Sequence, residues 1–228
     1  MEAFARALEP HLGKKLSEAD IMARRPRAER RFLRELAGPD RARACLDAFY
    51  LYYQTLHPTH FQGIYPGVLS LLTELREAEV PIGVVSGKSR RSWKITSGYV
   101  NLGPFQAEVL DDDVPCQKPD PAGVLQGAAA LETPPEEVLY VGDSLTDLDA
   151  ARAGGLQSAA VLWCKKPEEV DEFRREARGL GAELFSHPEG LIEHPAAQSP
   201  ASPGPLTPPS RSEPSTSPRG SPPDPPRW

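Results

Sequence analysis

The stretch Val138–Asp147 constrains the fold of this chain more than any other. Its first four residues, Val138–Val141, are largely apolar and run directly into Gly142 and Asp143 with no polar alternation. Such a run is typical of a strand buried on both faces of a parallel sheet. Since ligands of open α/β sheets bind at the carboxyl ends of the strands, we expect Asp143 to lie at a ligand-binding edge.

A second carboxylate, Asp147, follows Asp143 four residues later, at the start of a predicted helix. Two carboxylates at the edge of a sheet suit Mg²⁺, a hard cation that binds oxygen ligands. An aspartate in this position is equally typical of a residue that caps the next helix. The residues alone leave both interpretations open.

Two other loops are predicted to reach the same edge. Val80–Val85 is predicted as a second buried strand, and it ends in Ser86 and Gly87. A hydroxyl and free backbone N–H groups just before a helix can hold an oxyanion, although the same turn can be a simple serine cap. Pro119 disfavours helix at Lys118, so that ammonium either projects from a loop beside the edge or belongs to an ordinary surface lysine.

The pattern of the chain changes twice along its length. Residues 1–62 carry helical patterns and no strand signal, with Pro58 predicted to end the last helix and to leave His57 and His60 in a loop. Residues 63–192 alternate strands with helices, which predicts a parallel sheet with helices on both faces. The sequence therefore predicts an α/β fold preceded by a helical segment.

Residues 193–228 form a Pro- and Ser-rich tail with almost no aliphatic residue, so we expect it to be disordered. It is either a polyproline ligand for a partner, a spacer, or the product of a reading-frame error in GC-rich DNA. The formal net charge of -6 implies no bulk attraction to nucleic acid, and no apolar run is long enough to cross a membrane. The three widely spaced cysteines are typical of reduced thiols in a cytoplasmic protein.

The order and spacing of these motifs resemble the haloacid dehalogenase-like hydrolases, and within them the phosphoglycolate phosphatase-like branch. The matches to the second, third and fourth motifs of that family are Val84-Val85-Ser86, Lys118-Pro119 and Gly142–Asp147. The resemblance covers about residues 1–192. It implies a Rossmann-like α/β core at residues 63–192 and a small helical cap at residues 1–62.

The resemblance also implies an activity, the Mg²⁺-dependent hydrolysis of a small phosphorylated metabolite through an aspartyl-phosphate. By this resemblance Ser86 and the backbone N–H of Gly87 hold the phosphate oxygens, and Lys118 neutralises negative charge. Asp143 ligates Mg²⁺, and Asp147 positions Asp143 or Lys118. These roles suit phosphoryl transfer, which depends mainly on positioning and on charge stabilisation.

The chain departs from the family at the first motif, an apolar strand followed by Asp-x-Asp-Gly-Thr that supplies the nucleophile. Asp147-Leu148-Asp149 has the Asp-x-Asp spacing, but it opens a helix instead of following a strand, and we assign no nucleophile. We expect the first core strand to be missing, with an open slot between Val80–Val85 and Val138–Val141. The chain as written is then an inactive phosphatase fragment. The alternative is a non-catalytic phosphate-binding or partner-binding relic of the fold.

Overall fold

The computed structural model describes residues 1–24, 26 and 28–198, so nearly all of the predicted tail lies outside the described residues. No helix in this part of the chain is long and apolar enough to cross a membrane. The α-helices are α1 Glu2–Leu12, α2 Glu18–Ala23, α3 Glu29–Ala37, α4 Ala42–His60, α5 Val68–Glu77, α6 Arg90–Ser97, α7 Ala122–Ala130, α8 Leu145–Ala153, α9 Pro167–Gly179 and α10 Pro195–Gln198. The strands are β1 Gly83–Val85, β2 Ala107–Val109, β3 Leu139–Gly142, β4 Gln157–Val161 and β5 Glu183–Phe185.

Helices α1, α2, α3 and α4 pack around a core of their own. Its centre includes Leu8, Leu33 and Phe49, all of which are buried. The ring of Phe4 stacks on Phe49 with their centroids 4.6 Å apart. Apolar residues at helical spacing therefore give this segment a continuous interior before any strand is reached.

Helix α4 is longer than the sequence predicts. It continues through Pro58 to His60, so the placement of His57 and His60 in a loop is wrong. Pro58 removes one backbone hydrogen bond of the helix, but the helix continues for two more residues before it ends. His57 is buried and stacks on Phe61 at 5.0 Å between ring centroids, which holds this last turn in place.

The strands form two parallel sheets, which confirms the predicted α/β class. In one sheet β1 pairs with β2, with Val84 opposite Glu108. In the other the order is β3-β4-β5, with Val141 of β3 opposite Ala159. Strand β5 was not predicted, since its three residues carry too short an apolar pattern to stand out from a loop.

The prediction that the two site-forming strands are buried on both faces is wrong. The ladder of β1 contains only Gly83–Val85, all of which are partly or fully exposed, and in β3 Val141 is 43% exposed. The physical reason is that β1 and β3 are edge strands. Among the described residues no backbone hydrogen bond joins them, and neither has a strand on its second edge.

Two polar side chains reach across the space between β1 and β3. Ile82 and Ser86 bond to the β2 side of β1, so by strand alternation the carbonyl of Val85 faces the other way. That carbonyl accepts hydrogen bonds from Lys118 Nζ at 3.3 Å and from the hydroxyl of Tyr140 at 3.4 Å. Side chains thus satisfy a backbone group that a neighbouring strand would otherwise bind. The absence of the first core strand stays a prediction.

Candidate functional site

A cavity of about 540 Å³ lies at the carboxyl ends of β1, β2 and β3. Since parallel strands end at the same edge of a sheet, residues that are distant in the sequence meet there. All five predicted site residues line this cavity, namely Ser86, Gly87, Lys118, Asp143 and Asp147. Residues of the helical segment, including Met22 and Pro26, close its other side.

Ser86 and Gly87 form a turn that leads from β1 into α6. The backbone N–H of Ser86 donates to the carbonyl of Val109 at 2.9 Å, which ties the turn to β2. The Ser86 hydroxyl accepts from the backbone N–H of Lys88 at 3.2 Å and keeps its own proton for another acceptor. The backbone N–H of Gly87 has no hydrogen-bond acceptor among the described residues. The turn therefore presents donors to the cavity.

Lys118 is held by two side chains, those of the buried Asp147 and the partly buried Tyr140. Its ammonium lies 2.6 Å from Asp147 Oδ1 and donates to the hydroxyl of Tyr140 at 2.9 Å. Burial by itself lowers the pKa of Lys118, but attraction to Tyr140 and Asp147 outweighs that effect and raises the pKa above its ordinary value. Burial raises the pKa of Tyr140 to about 12. At neutral pH the lysine is therefore a fixed cation beside a neutral phenol.

Asp147 forms the helix cap that was one of the two interpretations the sequence left open, and it also contacts Lys118. Its Oδ2 accepts from the backbone N–H of Ser144 at 3.1 Å and from the Ser144 hydroxyl at 2.6 Å, which closes a capping box at the start of α8. Its other oxygen holds Lys118. A Cβ on Gly142 would lie 2.4 Å from the Cβ of Asp147, so glycine is required there for close packing.

Asp143 is the exposed carboxylate of the cavity. Its side chain is 62% exposed, and its nearest cation is Lys165, with Nζ 3.9 Å from Oδ2. The thiol of Cys164 lies 3.8 Å from the same oxygen. Among the described residues no three His, Cys, Asp or Glu side chains cluster as a metal site. The donor set suits a Mg²⁺ that takes one protein carboxylate and completes its shell with phosphate oxygens and water.

The sequence analysis missed Asp111, which lines the cavity, and Tyr140, which does not line it but contacts Lys118. Asp111 follows β2, lines the cavity and also begins an Asp-x-Asp spacing that ends at Asp113. Asp113 turns away from the cavity, since it pairs with Arg90 at 2.6 Å. Tyr140 lies within an apolar run, where nothing in the pattern indicates that its hydroxyl reaches Lys118. The one feature of the sequence that could have marked Asp111 as a site residue is its position after a strand.

Comparisons with known proteins find relatives of this chain. A family model described as haloacid dehalogenase-like hydrolase matches residues 1–161. A phosphoglycolate phosphatase of Cereibacter sphaeroides is 39% identical over 146 residues, which are 64% of this chain and 63% of that protein. Phosphoglycolate phosphatase 1 of Pseudomonas aeruginosa is 32% identical over 127 residues, 55% of this chain and 46% of that protein. The matched region thus spans less than two thirds of either relative.

A solved structure supports the fold. The crystal structure of CbbY from Rhodobacter sphaeroides, determined in complex with phosphate, superposes with a TM-score of 0.66. The two chains are 19% identical, and the match covers 86% of this chain and 92% of that chain. At this identity the likeness concerns the fold alone.

Proposed function

The chain belongs to the haloacid dehalogenase-like hydrolases, and from that premise we propose that its cavity is a phosphatase-type site that binds the phosphate group of a small phosphorylated metabolite together with Mg²⁺. The observation that carries the proposal is the convergence of Ser86, Gly87, Lys118 and Asp143 on one cavity. A hydroxyl, a free N–H and a fixed ammonium are the donors that a phosphate dianion needs. The phosphatase names of the relatives support the same class of reaction.

In this proposal each residue has one task. Ser86 and the N–H of Gly87 donate to the phosphate oxygens from the turn after β1. Lys118 places positive charge beside those oxygens, and Asp147 fixes the lysine at 2.6 Å so that it does not reorganise when phosphate binds. Donors preorganised in this way stabilise charge more effectively than mobile ones do.

Asp143 is the residue that would hold Mg²⁺. Its exposed oxygens are free of strong hydrogen bonds within the described part of the chain, so they can exchange Lys165 for a metal ion. The metal, when bound, would neutralise negative charge on the phosphate group. Asp147 would not be a ligand, because Lys118 and Ser144 already occupy both of its oxygens.

We infer further that the 228-residue chain binds phosphate esters without cleaving them. Three carboxylates line the described cavity, and Asp147 is committed to Lys118 while Asp143 is assigned to the metal. The third, Asp111, is buried against the end of β2. This distribution leaves no carboxylate of the described cavity assigned as a nucleophile, as expected of the inactive fragment and of the non-catalytic relic alike. Turnover of an aryl phosphate that Asp143→Asn abolishes would contradict the inference.

Titration calorimetry with inorganic phosphate, with and without Mg²⁺, tests the proposal. We expect phosphate to bind in both conditions and Mg²⁺ to tighten it severalfold. Asp143→Asn should remove the gain from Mg²⁺, whereas the control Asp149→Asn should keep it, because Asp149 pairs with Arg152 on the surface of α8. No binding of phosphate at millimolar concentration, with or without Mg²⁺, would overturn the proposal.

A further inference from the structure

Lys165 is a second cation in the wall of the cavity, and the proposed function gives it no contact with the ligand. It lines the cavity together with Lys118, and its side chain is only 18% exposed. Its Nζ lies 3.9 Å from Asp143 Oδ2, which is too long for a hydrogen bond, and it has no hydrogen-bond acceptor among the described residues. An ammonium carries three N–H donors, so a largely buried one that makes no hydrogen bond requires an explanation.

The ammonium of Lys165 is within reach of a ligand in the cavity. Asp111 Oδ1 and Gln117 Nε2 are sealed from solvent, whereas Lys165 Nζ keeps accessible surface. It lies 4.4 Å from the centroid of the Phe173 ring, and that ring is buried. The face of an aromatic ring attracts the positive charge. It offers no oxygen to the N–H groups, which therefore stay available to an anion.

The turn that carries Lys165 is fixed by the sheet. It follows β4, where the backbone N–H of Leu162 donates to the carbonyl of Phe185 in β5 at 2.9 Å. The N–H of Lys165 donates to the carbonyl of Leu162 at 3.0 Å, which closes the turn. Because β4 pairs in parallel with β3, the turns after these two strands lie side by side at the carboxyl edge of the sheet. The fold itself therefore places Lys165 next to Asp143.

The charges around Asp143 indicate what Lys165 can bind. Lys118 and Asp147 form an ion pair that is neutral as a unit. Mg²⁺ on the carboxylate of Asp143 would leave one net positive charge there, and Lys165 carries another. Together these two charges match a phosphate dianion. Ligands of one metal ion are neighbours, so a phosphate that shares Mg²⁺ with Asp143 comes close to the ammonium that already lies beside this carboxylate.

We propose that Lys165 is a further phosphate-binding residue, whose ammonium pairs with Asp143 in the free chain and donates to the phosphate group when Mg²⁺ occupies Asp143. This inference rests on the proposed function and adds a second cation to its site. The exchange breaks no hydrogen bond, and the lysine side chain is long and flexible. Lys165 then competes with Mg²⁺ for Asp143 and, once displaced, strengthens the binding of phosphate.

Replacement of Lys165 in the 228-residue chain tests its contact with phosphate. Isothermal titration calorimetry with inorganic phosphate at saturating Mg²⁺ measures the affinity. Lys165→Met removes the charge but keeps an apolar side chain beside Phe173, and we expect an affinity about tenfold lower, the loss of one charged hydrogen bond. Lys165→Gln is a second neutral replacement, which keeps the test available if the first variant does not fold. Lys165→Arg retains a cation and should restore most of the affinity.

The matched control is Lys166→Met, because Lys166 is the neighbouring lysine, is exposed and does not line the described cavity. A second measurement separates a specific role from structural damage. The Mg²⁺ concentration that gives half of the gain in the association constant for phosphate reports the Mg²⁺ affinity of the phosphate-free chain. Lys165→Met should lower this concentration severalfold, since the competing cation is gone, while Lys166→Met should leave it unchanged. A folding defect would weaken the binding of both ligands.

The outcomes separate the role of Lys165 from the proposed function. If both neutral variants bind phosphate as tightly as the unmodified chain at saturating Mg²⁺, the contact with phosphate is overturned. If they need as much Mg²⁺ as the unmodified chain, or more, the exchange at Asp143 is overturned. In either case the phosphate site stands. If the unmodified chain binds no phosphate at millimolar concentration, or gains nothing from Mg²⁺, the proposed function fails, and the role of Lys165 fails with it.

Discussion

The helical segment α1–α4 and the two facing strands β1 and β3 differ in how completely they bury their apolar residues. In the helical segment Leu8 and Leu33 have no exposed surface, whereas in β3 Val141 is 43% exposed. A helix satisfies its backbone internally, so its sequence pattern decides its burial. A strand needs a neighbour on each edge, and its own residues do not specify whether that neighbour is present.

The largest difference between the two regions should appear in the free energy of unfolding when one apolar side chain is truncated in each. Phe49→Ala should lower the free energy of unfolding by about 3–5 kcal/mol, because Phe49 is 1% exposed and stacks on Phe4. Val141→Ala should change it by less than about 1 kcal/mol. Urea denaturation followed by circular dichroism measures both. Equal effects of the two substitutions would show that the strands bury their side chains as fully as the helices do.

Breaking the contact that joins the two regions should lower the free energy of unfolding by an intermediate amount. Glu29 of α3 is buried and accepts from the backbone N–H and the hydroxyl of Ser89, at 3.1 and 2.8 Å. Glu29→Gln should cost about 1–3 kcal/mol, because both hydrogen bonds lose their charged acceptor and Lys88, whose Nζ lies 4.0 Å from Glu29 Oε1, loses its counter-charge. The neighbouring exposed pair of Arg30 and Asp112 offers a control, and Arg30→Gln should cost less than about 1 kcal/mol. A reversed order in urea denaturation would contradict this account of the junction.

The smallest expected effect concerns Asp111, and its size depends on pH. The raised pKa means that the folded chain holds the Asp111 proton to a higher pH than the unfolded chain does. The carboxyl group therefore lowers stability as pH rises from its unfolded pKa through its folded pKa. Asp111→Asn should remove this loss and stabilise the chain at neutral pH by up to about 1 kcal/mol. The gain should vanish as pH falls below about 3, where both states are protonated.

Melting temperatures of both proteins across the pH range measure this difference. A constant difference at all pH values would contradict an ionisation effect. A destabilised variant at neutral pH would show that Asp111 has a partner in the folded chain.

The sequence predicted the classes of the main elements, because each carries a periodic pattern. Leu46, Phe49 and Tyr53 predict α4 by helical spacing, and Val138–Val141 predicts β3 by its continuous apolar run. The end of α4 was not predictable, since the packing of His57 in its last turn against the ring of Tyr99, 4.7 Å between centroids, is a tertiary contact. The exposure of β3 was missed for a similar reason, because it depends on the neighbours of the strand.

The sequence predicted the site residues that can be located by their position directly after a strand. Ser86 and Asp143 each come directly after a strand, and the rule for parallel sheets places them together. The hydroxyl of Tyr140 could not be assigned, because its contact with Lys118 spans 22 residues and a loop. Asp111 also follows a strand, but the sequence does not show that its carboxylate lacks a partner.

The account depends most on Lys118 as a fixed cation of a phosphate site. The most direct test is the affinity of the chain for inorganic phosphate in Lys118→Met, with Lys94→Met on the exposed face of α6 as the matched control. Circular dichroism confirms that both variants are folded. Loss of a charged hydrogen bond predicts an affinity about 10- to 100-fold lower in Lys118→Met and unchanged in Lys94→Met. Equal affinities in a folded Lys118→Met variant and the unmodified chain would contradict the account.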